Sequence, residues 1–225
     1  MTSVFGVKEC FLASPPWKAV MMKHYNPSIS LERHELIEEF VAHFMDLPSI
    51  LHNAYRLRHV VLKMQPQGWA EVVAVLERVS DKRRRLDDWY QRWVTLVGPP
   101  SEKPSHLAPD NLLYPIIYAY PDPSIASTFC SYYTYKIVIH SILNATHVPS
   151  GHSAYLSYYV DQICKSVEYN GHGVFGPYRM GYAMTVAFEA GNLQQRKWLN
   201  VWIERFSTIY ASIPRRDVNA PRSVD

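Results

Sequence analysis

The chain has 225 residues, 48% hydrophobic and 19% charged, the balance of a folded chain able to bury a core. A formal net charge of +3 excludes a nucleic-acid binder defined by charge alone, because phosphate binding needs a concentrated basic face. Three distant cysteines, Cys10, Cys130 and Cys164, with no C-x-x-C, exclude a disulfide framework or a cysteine zinc site.

Buried free thiols in a reducing compartment fit that cysteine usage, so an intracellular place, nucleus or cytoplasm, is expected. No stretch approaches eighteen uncharged apolar residues, so a soluble chain with no membrane partner is expected. The first ten residues lack a basic segment followed by an apolar run, and no secretory signal is read there.

Residues 1–29 read as an irregular arm. Pro15 and Pro16 break any period, Asn26 and Pro27 signal a turn, and Phe5, Phe11, Leu12 and Trp17 are expected to pin the arm to the body. Ser30 is the expected N-cap of a first helix to about Asp46, with Leu36, Phe40, Phe44 and Leu47 on one face. Pro48, tolerated in a first turn, restarts the chain as a second helix to about Arg58.

Residues 67–97 carry the strongest signal. Trp69, Val72, Leu76, Val79, Leu86, Tyr90, Trp93 and Val97 keep a three–four spacing broken only by Arg83. That predicts a helix of about 28 residues, roughly 42 Å long. Gly98, Pro99 and Pro100 stop it. Residues 99–123 hold seven prolines, which forbid a long helix or a central strand, yet residues 112–118 are apolar. A packed crossing loop is expected.

Ser124 is then expected to cap a helix to about Asn144 that is apolar on most faces and therefore central. Another starts at Ser153, with Leu156, Tyr159, Ile163 and Val167 inward. The glycine-rich residues 170–177 form a loop, a short helix runs from Tyr178 to Ala190, and Gly191 is expected to close it in the left-handed conformation. Asn192 with Gln195 reads as a capping box for the last helix, whose inner face is Leu199, Trp202, Phe206, Ile209 and Ile213. Residues 214–225 are a polar tail. The whole predicts an all-α fold: one multi-helix domain of six to eight helices over residues 30–213, with a proline-rich crossing loop.

Residues 11–20 (FLASPPWKAV) and 44–51 (FMDLPSIL) form one pattern, and residues 163–169 (ICKSVEY), 180–187 (MGYAMTVA) and 197–199 (KWL) form a second. In order and spacing these resemble the C-terminal part of the regulatory domain of fungal zinc binuclear cluster transcription factors. The resemblance spans most of residues 11–210 and rests on packing residues. It implies that family's helical regulatory fold, a role in transcription regulation, and a setting among fungal secondary-metabolite genes. The six-cysteine zinc cluster that reads DNA in the full regulators has no counterpart here.

The dense charge run, residues 81–88 (DKRRRLDD), pairs Asp81 with Arg85, Arg83 with Asp87 and Arg84 with Asp88 at i,i+4, which reads as a solvated helix face. His140, His147 and His152 have no metal-ligand spacing and read as surface histidines, so no metal is expected. Cys164, beside Lys165, reads as a buried structural thiol. The glycine loop has neither a preceding strand nor a following Gly-Lys-Ser/Thr, so it reads as turn geometry, with His172 accessible at its tip.

Tyr132, Tyr133, Tyr135, Tyr155, Tyr158, Tyr159 and Tyr169 crowd two neighbouring helices and read as core and rim; the alternative is that some of them line a ligand cavity, with Tyr132, Tyr133, Tyr155 and Tyr159 the candidate ligand-lining residues. The leading expectation is a regulatory domain without a DNA-binding module, acting through a transcriptional partner protein or by sensing an apolar small molecule, with no cofactor. The alternative is an enzyme that isomerises or cyclises a pathway intermediate by general acid–base catalysis. Its candidate residues are His172, His140, Asp161 and Tyr133.

Overall fold

The structure, a computed structural model, describes residues 30–62, 68–107, 113–145 and 151–209. Among them are seven helices and one two-stranded ribbon, an all-α fold. The helices are α1 (Leu31–Met45), α2 (Leu47–Leu62), α3 (Trp69–Val97), α4 (Pro123–Ala145), α5 (His152–Asn170), α6 (Gly176–Ala190) and α7 (Leu193–Ser207); the strands are β1 (Ser101–Pro104) and β2 (Ile116–Ala119). Among the described residues no helix is long and apolar enough to cross a membrane. The arm (1–29), the tail (214–225), Ile213, His147 and Cys10 lie outside the described residues.

Contacts divide the chain into two compact units, residues 1–98 with 142–148 and residues 99–141 with 149–225. The first holds α1, α2 and α3. Ser30 caps α1 as expected, its Oγ accepting from Arg33 N at 3.3 Å. Val72, Val79, Leu86 and Trp93 form the buried stripe of α3, joined by Trp89, which the spacing had not selected. Trp69, at the start of that stripe, is instead 38% exposed. Trp89 sits 4.6 Å from Phe40 between ring centroids, and its Nε1 donates to Leu36 O at 2.7 Å. Gly98 ends α3 at φ +79°, a conformation that favours glycine.

The second unit holds the ribbon, most of α4, and α5 to α7. In place of the expected packed crossing loop, the described residues of the proline-rich segment form a ribbon: β1 and β2 pair antiparallel, Ser101 opposite Ala119 and Pro104 opposite Ile116. Every residue of β1 is exposed, so the ribbon accepts Pro104 at an outer strand's end, as proline's missing N–H requires. Ile117 and Ala119 of β2 are buried, and β2 packs on α5. Residues 132–140 of α4 are all buried, as a helix apolar on most faces should be. Its N-cap is Asp122, not Ser124: the Asp122 Oδ1 accepts from the backbone N–H of Ser124 and of Ile125, both at 2.8 Å.

Helix α5 packs on β2, α6 and α7, and nine of its side chains are buried. Arg179 of α6 donates to Asn170 O at the end of α5 and to His172 O, holding the intervening loop. Gly191 is extended at φ −68°, not left-handed. It is needed for space instead, since a Cβ there would lie 3.0 Å from Ala187 O and 3.2 Å from Gln195 Cβ. The Asn192–Gln195 capping box of α7 is present in both directions. Leu199, Trp202 and Phe206 are buried as expected, but Ile209, beyond the helix end, is 61% exposed.

Candidate functional site

A cleft of about 580 Å³ opens on the second unit. Leu113, Tyr114 and Tyr118 line it from β2 and the segment before it, and Tyr158, Asp161, Gln162 and Lys165 line it from α5. The four α5 residues stand at i, i+3, i+4 and i+7, one face of a helix, so helical geometry presents them together.

Asp161 is the best-held group there. Its Oδ1 accepts from Tyr114 OH at 2.6 Å and from Gln195 Nε2 at 2.8 Å. Gln195 thus does two things at once: its Oε1 accepts from Asn192 N at 2.9 Å to close the α7 capping box, and its amide nitrogen orients the cleft carboxylate. Trp198, on the same helix, meets the Tyr114 ring edge-on at 4.8 Å. Tyr118 OH donates to Gln162 Oε1 at 2.9 Å. Lys165 Nζ lies 3.3 Å from Glu102 Oε1 of β1 and 5.0 Å from the Tyr118 ring centroid, so the ribbon and α5 are tied across the cleft by charge and by a cation–π contact. Burial pushes the Tyr114 and Tyr158 phenols above their ordinary range. Both therefore remain protonated donors at neutral pH.

Of the named site candidates only Asp161 lines this cleft, joined by Tyr158 from the wider group of tyrosines. Tyr132, Tyr133 and Tyr159 are buried in an aromatic cluster between α4 and α5, with ring centroids 5.8 Å (Tyr132–Tyr133), 6.2 Å (Tyr132–Tyr159) and 6.3 Å (Tyr133–Tyr159) apart. Tyr155 is half-exposed and stacks on His140 at 4.7 Å. His140 is not a surface histidine. It is 2% exposed, and its Nδ1 lies 3.0 Å from Nδ1 of His152, itself 4% exposed. A hydrogen bond there requires one ring to donate and the other to accept. The reason is packing: residues 132–140 of α4 are all enclosed, so a histidine among them is buried and finds a partner.

Lys136, one turn earlier, is also buried, its Nζ 5.5 Å from the Tyr159 centroid. His172 is exposed at its loop tip, and among the described residues its imidazole makes no hydrogen bond or ring contact. The four nominated catalytic side chains thus stand in three places: Asp161 in the cleft, His140 and Tyr133 in the buried cluster, and His172 at its loop tip.

The basic run on α3 is engaged locally. Lys82 pairs with Asp46, and Arg84 and Arg85 pair with Asp81 at 3.2 and 2.8 Å. Cys164 is fully buried and its thiol is pushed up by that burial, as a structural cysteine's should be. Among the described residues no group of three or more His, Cys, Asp or Glu side chains converges as a metal site would. Gln162, Lys165, Tyr114 and Tyr118 were not nominated. For Gln162 and Lys165 the signal was the polar i, i+3, i+4, i+7 stripe on α5, which competes with an inward stripe on the same helix; Tyr114 and Tyr118 lie before and on β2, outside any helical period. No protein-family model, curated protein or solved structure matches the chain.

Proposed function

We propose that this chain is a regulatory-type helical module that takes a small aromatic molecule into the Tyr114–Tyr118–Tyr158 cleft and passes its occupancy to a protein partner. The observation that carries the reading is the chemistry of the cleft. Its Tyr114 and Tyr158 phenols are held protonated as donors, and its carboxylate is immobilised by Tyr114 and Gln195. Those are features of recognition: two donors on Oδ1 fix the orientation in which the carboxylate meets a guest. Flat rings around a few placed polar groups suit an aromatic guest. The likeness of residues 163–169 and 197–199 to the fungal regulatory domain supports the same reading, because these segments lie on α5 and α7, which line and back the cleft.

The enzyme reading keeps one supporting observation, the coupled His140–His152 pair beside Lys136 and Tyr159, but that cluster is sealed from solvent. No DNA-reading element belongs to the proposed module, because Lys82, Arg84 and Arg85 of the α3 run already have carboxylate partners.

Calorimetric titration with 2-naphthol tests the reading. Saturable binding that Tyr158→Ala weakens is the expected result, and no saturation up to the solubility limit would overturn it. In parallel, titration with randomised duplex DNA at about 150 mM salt, where the Debye length is about 8 Å, should give only weak, strongly salt-dependent association.

A further inference from the structure

The polar atoms of the cleft that remain uncommitted specify more than an aromatic guest. Both bonds to Asp161 fall on Oδ1, and among the described residues Oδ2 accepts none. Gln162 spends its carbonyl on Tyr118, which leaves the amide N–H groups of Nε2 as donors. Lys165 gives one ammonium hydrogen to Glu102, a residue exposed enough to turn into solvent, and keeps two. The Tyr158 hydroxyl is half-exposed and has no hydrogen bond among the described residues. The available groups therefore divide. Gln162, Lys165 and Tyr158 offer donors, one of them cationic, and Asp161 offers an anionic acceptor.

We infer that the guest is a hydroxylated aromatic carboxylic acid: its carboxylate is held by Lys165 with help from Gln162, its ring lies against the cleft tyrosines, and its hydroxyl donates to Asp161 Oδ2. This rests on the cleft being a small-molecule site, as proposed above. The placement fits. Asp161 and Lys165 stand one turn apart on the cleft-lining face of α5, about 6 Å along the axis at 1.5 Å per residue, so one small guest meets both. The charges fit as well. A neutral phenol would leave the ammonium with Glu102 alone, and a guest cation would be repelled by Lys165, which already occupies the Tyr118 face. An acid replaces Glu102 at Lys165 and forms a charge-assisted bond in a site partly shielded from water.

The test compares four small ligands on the intact chain by calorimetry: 4-hydroxybenzoate, its neutral counterpart 4-hydroxybenzamide, 4-methoxybenzoate, which has no hydroxyl to donate, and 2-naphthol. The inference expects 4-hydroxybenzoate to bind roughly tenfold tighter than the amide, the ratio of one charge-assisted hydrogen bond. It also expects the methoxy acid to bind more weakly than the hydroxy acid. Lys165→Met should erase the preference for acid over amide, read as the ratio of the two affinities measured in that same variant. Because the ligand comparison on the unaltered chain needs no variant, a Lys165→Met chain that misfolds does not protect the idea. Equal binding of acid and amide, with 2-naphthol still bound, overturns the inference and spares the cleft. A preference for acid that survives Lys165→Met also overturns it, since the anion is then held elsewhere. If neither 2-naphthol nor any benzoate binds, the cleft reading falls and the inference with it.

Discussion

Replacing Trp89 probes whether α3 is truly the spine of the first unit. The indole is fully buried, stacked on Trp93 at 5.5 Å and tilted against Phe40 at 4.6 Å, with its N–H on Leu36 O at 2.7 Å. Trp89→Ala removes the whole ring. Truncations of this kind cost about 3–5 kcal/mol, and the lost hydrogen bond adds about 1 kcal/mol, for a total of roughly 4–6 kcal/mol. Trp89→Phe keeps most of the apolar contact and loses the N–H. Leu36 lies inside α1, so its carbonyl keeps an intrahelical partner, and the change should cost about 2 kcal/mol. Urea unfolding followed by circular dichroism at 222 nm reads both variants. With a slope of about 2 kcal/mol per molar urea, the midpoint should fall by about 1 M for Phe and about 2–3 M for Ala. A total stability of about 5–15 kcal/mol leaves the Ala variant near the edge of folding, so the Phe variant is the cleaner measurement. If both midpoints move by less than about 0.3 M, the ring is not part of a packed core and the reasoning fails.

Gly176→Ala should destabilise more than Gly191→Ala. A Cβ on Gly176 would fall 1.9 Å from Gly171 O, whereas one on Gly191 meets nothing nearer than 3.0 Å; melting temperatures in the reverse order would refute this. Cys130, its thiol pushed up to about 12 by burial, and Cys164, also raised by burial, should resist iodoacetamide at about pH 8 in the folded chain and react in urea. Peptide mass spectra showing rapid native labelling at either site would contradict it. The His43 imidazole is held below its ordinary value of 6.5, first by burial and then by Lys82. The unfolded chain therefore takes up a proton at a pH where the folded chain does not, and stability falls as the pH drops through about 6.5. The urea midpoint should be lower at about pH 5.5 than at about pH 7.5, and His43→Gln should shrink that difference; an unchanged difference would rule His43 out as a source.

Much of the fold was legible because helices announce themselves locally. The spacing of Val72, Val79, Leu86 and Trp93 repeats within one element, and the Ser30 cap and the Asn192–Gln195 box act over three residues. Pattern reading needs nothing from elsewhere in the chain to find such features. It was less able to find the ribbon, whose strands are four residues long and whose outer strand is wholly exposed, so no alternation exists to be seen. It also misassigned the role of Gly191, because a glycine kept for a close approach and a glycine kept for a left-handed turn are the same letter.

The site lay further out of reach. Asp161 was nominated, but what holds it comes from 47 residues before it in Tyr114 and 34 residues after it in Gln195. The tyrosines nominated with it, Tyr132, Tyr133 and Tyr159, turned out to pack on one another, while Tyr114, Tyr118 and Tyr158 face the cleft. All six have the same chemistry. Whether a phenol is core or cleft depends on which surfaces its neighbours cover, and those neighbours are distant in the chain. The all-α class, the helix ends and most buried stripes were therefore properties of short segments, written in side-chain size, polarity and order. Which polar face of α5 stays open, and which histidine of α4 is sealed against His152, depends on long-range packing that closes some faces and leaves others to water.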